Sequence, residues 1–159
     1  MSLTSLLLIS SLAAGSPPDP VGVLAEFITA VSAADTSAAM GMLAEDAFDK
    51  IDSLLANDPV FLCNLAQGFG VQLTPEQVGG MGAGDFLRTV LSAPALSGML
   101  MFVRYAPGEP FASGDDILLP VAYSFMGMSD TMTVRMTCQD GTWLIADYYG
   151  HPPVRAGIR

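Results

Sequence analysis

Asp147 stands between Ile145 and Tyr149 on an alternating stretch near the end of the chain. A carboxylate held among apolar groups resists ionisation, so its pKa rises and it becomes a usable base. Tyr105, Tyr123 and Arg104 lie on two earlier stretches of strand character. The competing reading is structural: Asp147 pairs with Arg104 or Arg135 across a sheet. His151 is the one histidine, and Gly150-His151-Pro152-Pro153 places it in an exposed turn. A dyad needs a carboxylate-held histidine, and a metal site usually needs several ligands, so His151 suits neither. There is no Gly-x-Ser-x-Gly elbow. The glycines at 79, 80, 82 and 84 lack the preceding strand and following lysine of a phosphate-binding loop.

Sulfur is the next candidate chemistry. Of ten methionines, six fall in Met-x-Met pairs: Met40/Met42, Met99/Met101 and Met126/Met128. Thioethers are soft ligands that select copper(I), but methionine is also an adaptable filler of cores and apolar pockets. Met132 and Met136 flank Val134 at strand spacing, the pattern of a core face or pocket wall. The reading is therefore a pocket lining and no metal. Cys63 and Cys138 are the two cysteines. In an exported chain an even count suggests a bridge, which would stabilise by roughly 4 kcal/mol in the chain-entropy model. The alternative is two free thiols acting as small hydrophobes.

The elements that must position these residues divide the chain. Val21, Leu24, Phe27, Ile28 and Val31 recur at the spacing of one helix face. Asp35 reads as an N-cap that restarts a helix through Met42, Phe48, Ile51 and Leu55. Asp58-Pro59 starts another, and Thr74-Pro75-Glu76-Gln77 is a capping box. A helix from Asp85 to Ser92 ends before Pro94. The period then changes from about 3.6 to 2. Strands are expected over Leu100–Ala106, Ile117–Phe125, Thr131–Cys138 and Thr142–Tyr149, with Asp140-Gly141 as a hairpin turn. Pro120 points to an edge or a bulge. Helices first and antiparallel strands after make an α+β domain, with helices on one face of a curved sheet of about four strands.

Sixteen acidic against six basic residues give a formal charge of −10, which argues against nucleic acid and anionic membrane surfaces. Leu6 to Leu12 followed by Ala13-Ala14-Gly15 reads as a signal peptide over residues 1–15, cut before Ser16, for a periplasmic or secreted product. That stretch is too short to span a membrane. A Pro-rich linker at 16–20, one domain at 21–151 and a tail at 152–159 complete the layout. Residues 1–15 do not explain the 51% hydrophobic fraction: without them it stays near half. The surplus belongs to the domain and suits a pocket or an interface.

The stretch PVGVLAEFITAVSAADTSAAMGMLAEDAF resembles the first two helices of the nuclear transport factor 2-like superfamily, which includes ketosteroid-isomerase-like and SnoaL-like domains. The ending MTVRMTCQDGTWLIADYY is similar to that superfamily's last hairpin, here with Asp140, Gly141, Trp143 and Ile145. The resemblance spans roughly residues 20–150 and implies a cystatin-like cone around an apolar pocket. It does not imply one activity. Catalytic members commonly set an Asp or His base against a Tyr or Asp donor, so Asp147 with Tyr105 or Tyr123 would be the catalytic candidates. A non-enzymatic domain would instead bind an apolar small molecule or a protein through Arg104, Tyr105, Tyr123, Met132, Met136, Trp143 and Tyr149. No cofactor is expected in either case. A third reading is a structural module that forms a homodimer through its open sheet face.

Overall fold

The computed structural model describes residues 19–150. The segment 1–15, residues 16–18, His151 and the tail 152–159 lie outside the described residues. The described residues form seven helices followed by a five-stranded antiparallel sheet that does not close. The helices are α1 (Pro20–Ser32), α2 (Thr36–Gly41), α3 (Glu45–Asn57), α4 (Pro59–Gly68), α5 (Pro75–Gly79), α6 (Ala83–Leu91) and α7 (Pro94–Leu100). The strands are β1 (Arg104–Pro107), β2 (Phe111–Ser113), β3 (Asp116–Phe125), β4 (Met128–Gln139) and β5 (Thr142–Tyr149).

Capping residues start the helices where the sequence places them. Asp19 and Asp35 accept the backbone N–H groups of Gly22 and Ala38, and Asp58 accepts that of Phe61. Pro20 is therefore the first residue of α1 rather than the end of a linker. Thr74 and Gln77 close both bonds of the capping box, at 3.2 and 2.9 Å.

Two helical expectations need correction. The helix restarted at Asp35 is not continuous, because Met42 to Ala44 leave helical geometry to meet the sheet. The Ile145 N–H donates to the Met42 carbonyl, and the Ala44 N–H donates to the Ile145 carbonyl, both at 2.8 Å. This tertiary contact covers part of the outer edge of β5 and outweighs the local helical pattern. Likewise Pro94 starts α7 instead of only ending α6, so the strand expected from Leu100 begins at Arg104.

The sheet runs β1-β3-β4-β5, with β2 pairing beside β1 on the same side of β3. Pro120 sits inside β3, not on an edge strand. It is tolerated there because it falls between the segments that β1 and β2 cover. Across that gap the Gly108 N–H donates to the Pro120 carbonyl at 2.7 Å. The irregularity lies elsewhere: the β4–β5 register shifts between Arg135 and Met136. Asp140 and Gly141 both have positive φ, 51° and 77°, as a two-residue hairpin turn requires.

Three apolar clusters hold the layers. Val23 and Leu24 of α1 pack on Leu119, Val121, Val134, Met136 and Ile145 of the sheet. Leu55, Leu62, Cys63, Val78, Phe86 and Val90 form a second cluster among α3 to α6. Ala30, Val31, Ala39 and Leu91 join α1 and α2 to α6. The methionine-rich strand face is thus a filled core: Met136 is fully buried, and Met132 and Trp143 pack against the same cluster. Cys63 is buried in the helical cluster and Cys138 is exposed on β4. Both are free thiols, so the expected bridge is not formed. Among the described residues no helix is long and apolar enough to cross a membrane.

Candidate functional site

The open end of the sheet carries a groove of about 420 Å³ across β1, β3 and β4. Strand alternation sorts its walls into rows. Arg104 pairs with Ser124, and Ser124 pairs with Ser129, so these three share one face. Ala106, Ala122 and Thr131 form the next row on that face. Between them Tyr105, Tyr123 and Asp130 form a row directed to the opposite, helix-bearing face. Tyr105 accordingly packs against the core cluster of α1 and the sheet. Small side chains in the first two rows leave the space that the groove occupies.

Large apolar side chains are exposed in the segments that enter β1 and join β3 to β4. Met101 is 77% exposed, Phe102 71%, Met126 80% and Met128 69%. Each lies within three residues of a groove-lining residue. Met101 of one Met-x-Met pair and both members of another are thus exposed. Met126 is also strained: its φ is 49° in the Met126-Gly127 turn that joins β3 to β4. That position favours Asn, Asp or Gly, and a side chain like methionine costs energy there.

Arg104 is distinguished by its lack of a partner. Lys50 pairs with Asp147, Arg88 with Asp85, and Arg135 with both Asp46 and Asp116. Among the described residues Arg104 is the cation without an ion pair. The carboxylate nearest to it along the groove is Asp130, whose Oδ1 accepts the Thr131 backbone N–H at 2.8 Å.

Asp147 is not part of this groove. It lies on β5, two strands away from β3. Its carboxylate accepts Lys50 of α3 and also the Tyr148 backbone N–H. The partner is thus neither Arg104 nor Arg135, although Arg135 is the residue opposite Asp147 in the ladder. Arg135 turns its guanidinium to Asp116 at 2.8 Å and Asp46 at 2.9 Å. Its hydrogen bond to Asp116 raises the Arg135 pKa and holds the Asp116 carboxyl below the usual range. Tyr149 is partly exposed opposite Thr133 at the end of β5. Thr133 is fully buried, and its hydroxyl has no partner among the described residues.

The groove thus takes in Arg104 and the strand positions of Tyr105 and Tyr123, whose side chains turn to the helix-bearing face that Met132, Met136 and Trp143 share, and it leaves out Asp147 and Tyr149. Sequence reasoning missed Ser124, Ser129, Asp130 and Thr131. Only the register of β3 against β4 reveals them, because serine and threonine on an alternating strand read as an ordinary polar face. A second open groove, about 410 Å³, lies along α1 and α2 beside Ala25, Glu26, Thr29 and Met42. It offers small side chains and two carboxylates, Glu26 and Asp35, with no cation. Among the described residues no cluster of three or more His, Cys, Asp or Glu could hold a metal ion.

Compared with known proteins, the chain matches no family model, no curated protein and no solved structure.

Proposed function

We propose that this chain is an exported, non-enzymatic domain of the nuclear transport factor 2-like type that binds an apolar small molecule at the open end of its sheet. The observation that carries this reading is the groove across β1, β3 and β4, with Met101, Phe102 and Met126 left exposed in the segments next to it. Exposed large apolar groups gathered in one place mark a binding surface, whereas scattered ones need no explanation. Methionine suits the task because its unbranched thioether adapts to ligands of different shape. The strained turn at Met126 supports the same reading, since a residue kept in an unfavourable conformation points to a use for its side chain.

The helices on one face of an antiparallel sheet support the family assignment, as does the Asp140-Gly141 hairpin. Export rests on the apolar run from Leu6 to Leu12 and the small residues after it. The enzymatic alternative loses support because Asp147 is held by Lys50, away from Tyr105 and Tyr123 of the groove.

The test is a fluorescence titration with the neutral apolar probe N-phenyl-1-naphthylamine. Burial of one large apolar side chain is worth about 1.5–3 kcal/mol. The double variant Phe102→Ser/Met126→Ser should therefore bind at least about tenfold more weakly than the parent chain. Unchanged binding in that variant, with the fold intact by circular dichroism, would overturn the assignment.

A further inference from the structure

We infer that the groove selects an anionic amphiphile, a small apolar molecule ending in one carboxylate, with the carboxylate seated on Arg104, Ser124 and Ser129. This inference rests on the proposed binding of an apolar molecule at the same groove and adds the chemical class of its head.

Charge singles out one residue of the groove. The chain has a formal charge of −10, and the other described cations are spent on internal ion pairs. Arg104 alone among the described residues keeps an unpaired guanidinium, and it lines the groove. An unpaired cation on an acidic surface is a site where an anion gains charge-assisted hydrogen bonds without breaking an existing pair. Arginine suits a carboxylate in particular, since its planar fork matches two carboxylate oxygens.

The register supplies further donors. Ser124 lies opposite Arg104, and Ser129 lies opposite Ser124, all on one face. Adjacent strands are about 4.8 Å apart, so the row spans roughly 10 Å and one carboxylate can meet the guanidinium and a hydroxyl together. Asp130 also lines the groove, but alternation directs its side chain to the other face, and its Oδ1 is engaged by the Thr131 N–H.

Size and balance fix the occupant. A single cation within an otherwise acidic surface favours a ligand with one negative charge and disfavours a polyanion. A groove of about 420 Å³ falls in the range of small-molecule sites, about 300–1,000 Å³. Ala106 and Ala122 of the next row on the same face, with the exposed Met101, Phe102 and Met126 at that end of the sheet, then receive the apolar body while the head stays at the Arg104 row.

The experiment is calorimetry with decanoate, decan-1-ol and decyltrimethylammonium against the parent chain, Arg104→Gln and Ser124→Ala/Ser129→Ala. Decanoate should bind at least tenfold more tightly than decan-1-ol, and decyltrimethylammonium most weakly. Arg104→Gln should abolish that preference, so that decanoate and decan-1-ol bind equally. The double serine variant should lose part of the preference. Equal affinity for decanoate and decan-1-ol, or a preference that survives Arg104→Gln, overturns the carboxylate assignment and leaves the apolar groove standing. Failure of all three probes and of the neutral naphthylamine overturns both readings. A concentration-dependent dimer that blocks the probes overturns the proposal in favour of a second copy on this face. Arg104 is exposed and unpaired, so its substitution does not threaten the fold.

Discussion

Lys50, the only lysine of the chain, reaches from α3 to Asp147 on β5 and lies 5.6 Å from the ring centroid of Tyr148. This pair ties the helical layer to the edge strand and occupies the one carboxylate that looked catalytic. Asp147→Asn should therefore lower stability by about 1 kcal/mol, the scale of a partly exposed ion pair. Binding of the neutral naphthylamine should stay unchanged. Urea denaturation and the probe titration on the same variant measure both. A loss of binding with stability intact would return Asp147 to the site.

Arg135 joins Asp116 of β3 to Asp46 of α3 from its place on β4. The Asp116 carboxyl is held below its ordinary value by that guanidinium. A carboxyl with a lowered folded pKa stabilises above its unfolded value, about 3.9, and that contribution disappears as pH falls through the folded value. Stability should thus decline below about pH 4, and Arg135→Met should flatten the decline. The variant should also cost about 2 kcal/mol at neutral pH, since it removes hydrogen bonds to charged groups. Melting curves between about pH 2 and pH 7 decide the matter.

Thr133 carries a buried hydroxyl without a partner among the described residues. Thr133→Val keeps the shape and removes that polar atom, so stability should rise by about 1 kcal/mol. A drop of that size would instead reveal a water or another group that the hydroxyl serves. Chemical denaturation reads the sign.

Met126 sets stability against binding. Met126→Asn replaces a strained residue by one that favours the left-handed turn, so the fold should gain about 1 kcal/mol. The same change removes an exposed apolar contact, so probe affinity should fall severalfold. Gain without loss would separate the methionine from the binding surface.

The two thiols should differ sharply. Cys138 is exposed and Cys63 is buried, and both are free. A thiol reagent should label Cys138 in the native protein and reach Cys63 only on unfolding. An absence of reactive thiols in protein recovered from an oxidising compartment would contradict this arrangement.

Most of the fold was legible in the residues. The caps at Asp35, Asp58 and Thr74 and the Asp140-Gly141 turn act through neighbours in the chain, so their effect can be read locally. The break at Met42 to Ala44 could not be read that way, because Ile145 causes it from a hundred residues downstream. β2 is three residues long and exists only by pairing with Leu118 and its neighbours, so it left no periodic signal. The site was half legible. Arg104, Tyr105 and Tyr123 stand out by type, whereas Ser124, Ser129 and Thr131 join the face of Arg104 only through register. Asp147 misled for a physical reason: Ile145 turns to the core but Tyr149 is exposed, and the carboxylate between them meets a lysine from another element.

The central claim is that ligand enters the open end of β1, β3 and β4, and backbone amide shift mapping with the neutral naphthylamine tests it most directly. The account predicts shifts concentrated at residues 101–106, 122–124 and 126–131, with Asp147 and the α1–α2 groove undisturbed. Shifts concentrated around Asp147 and Tyr149, or along Ala25 to Met42, would contradict it.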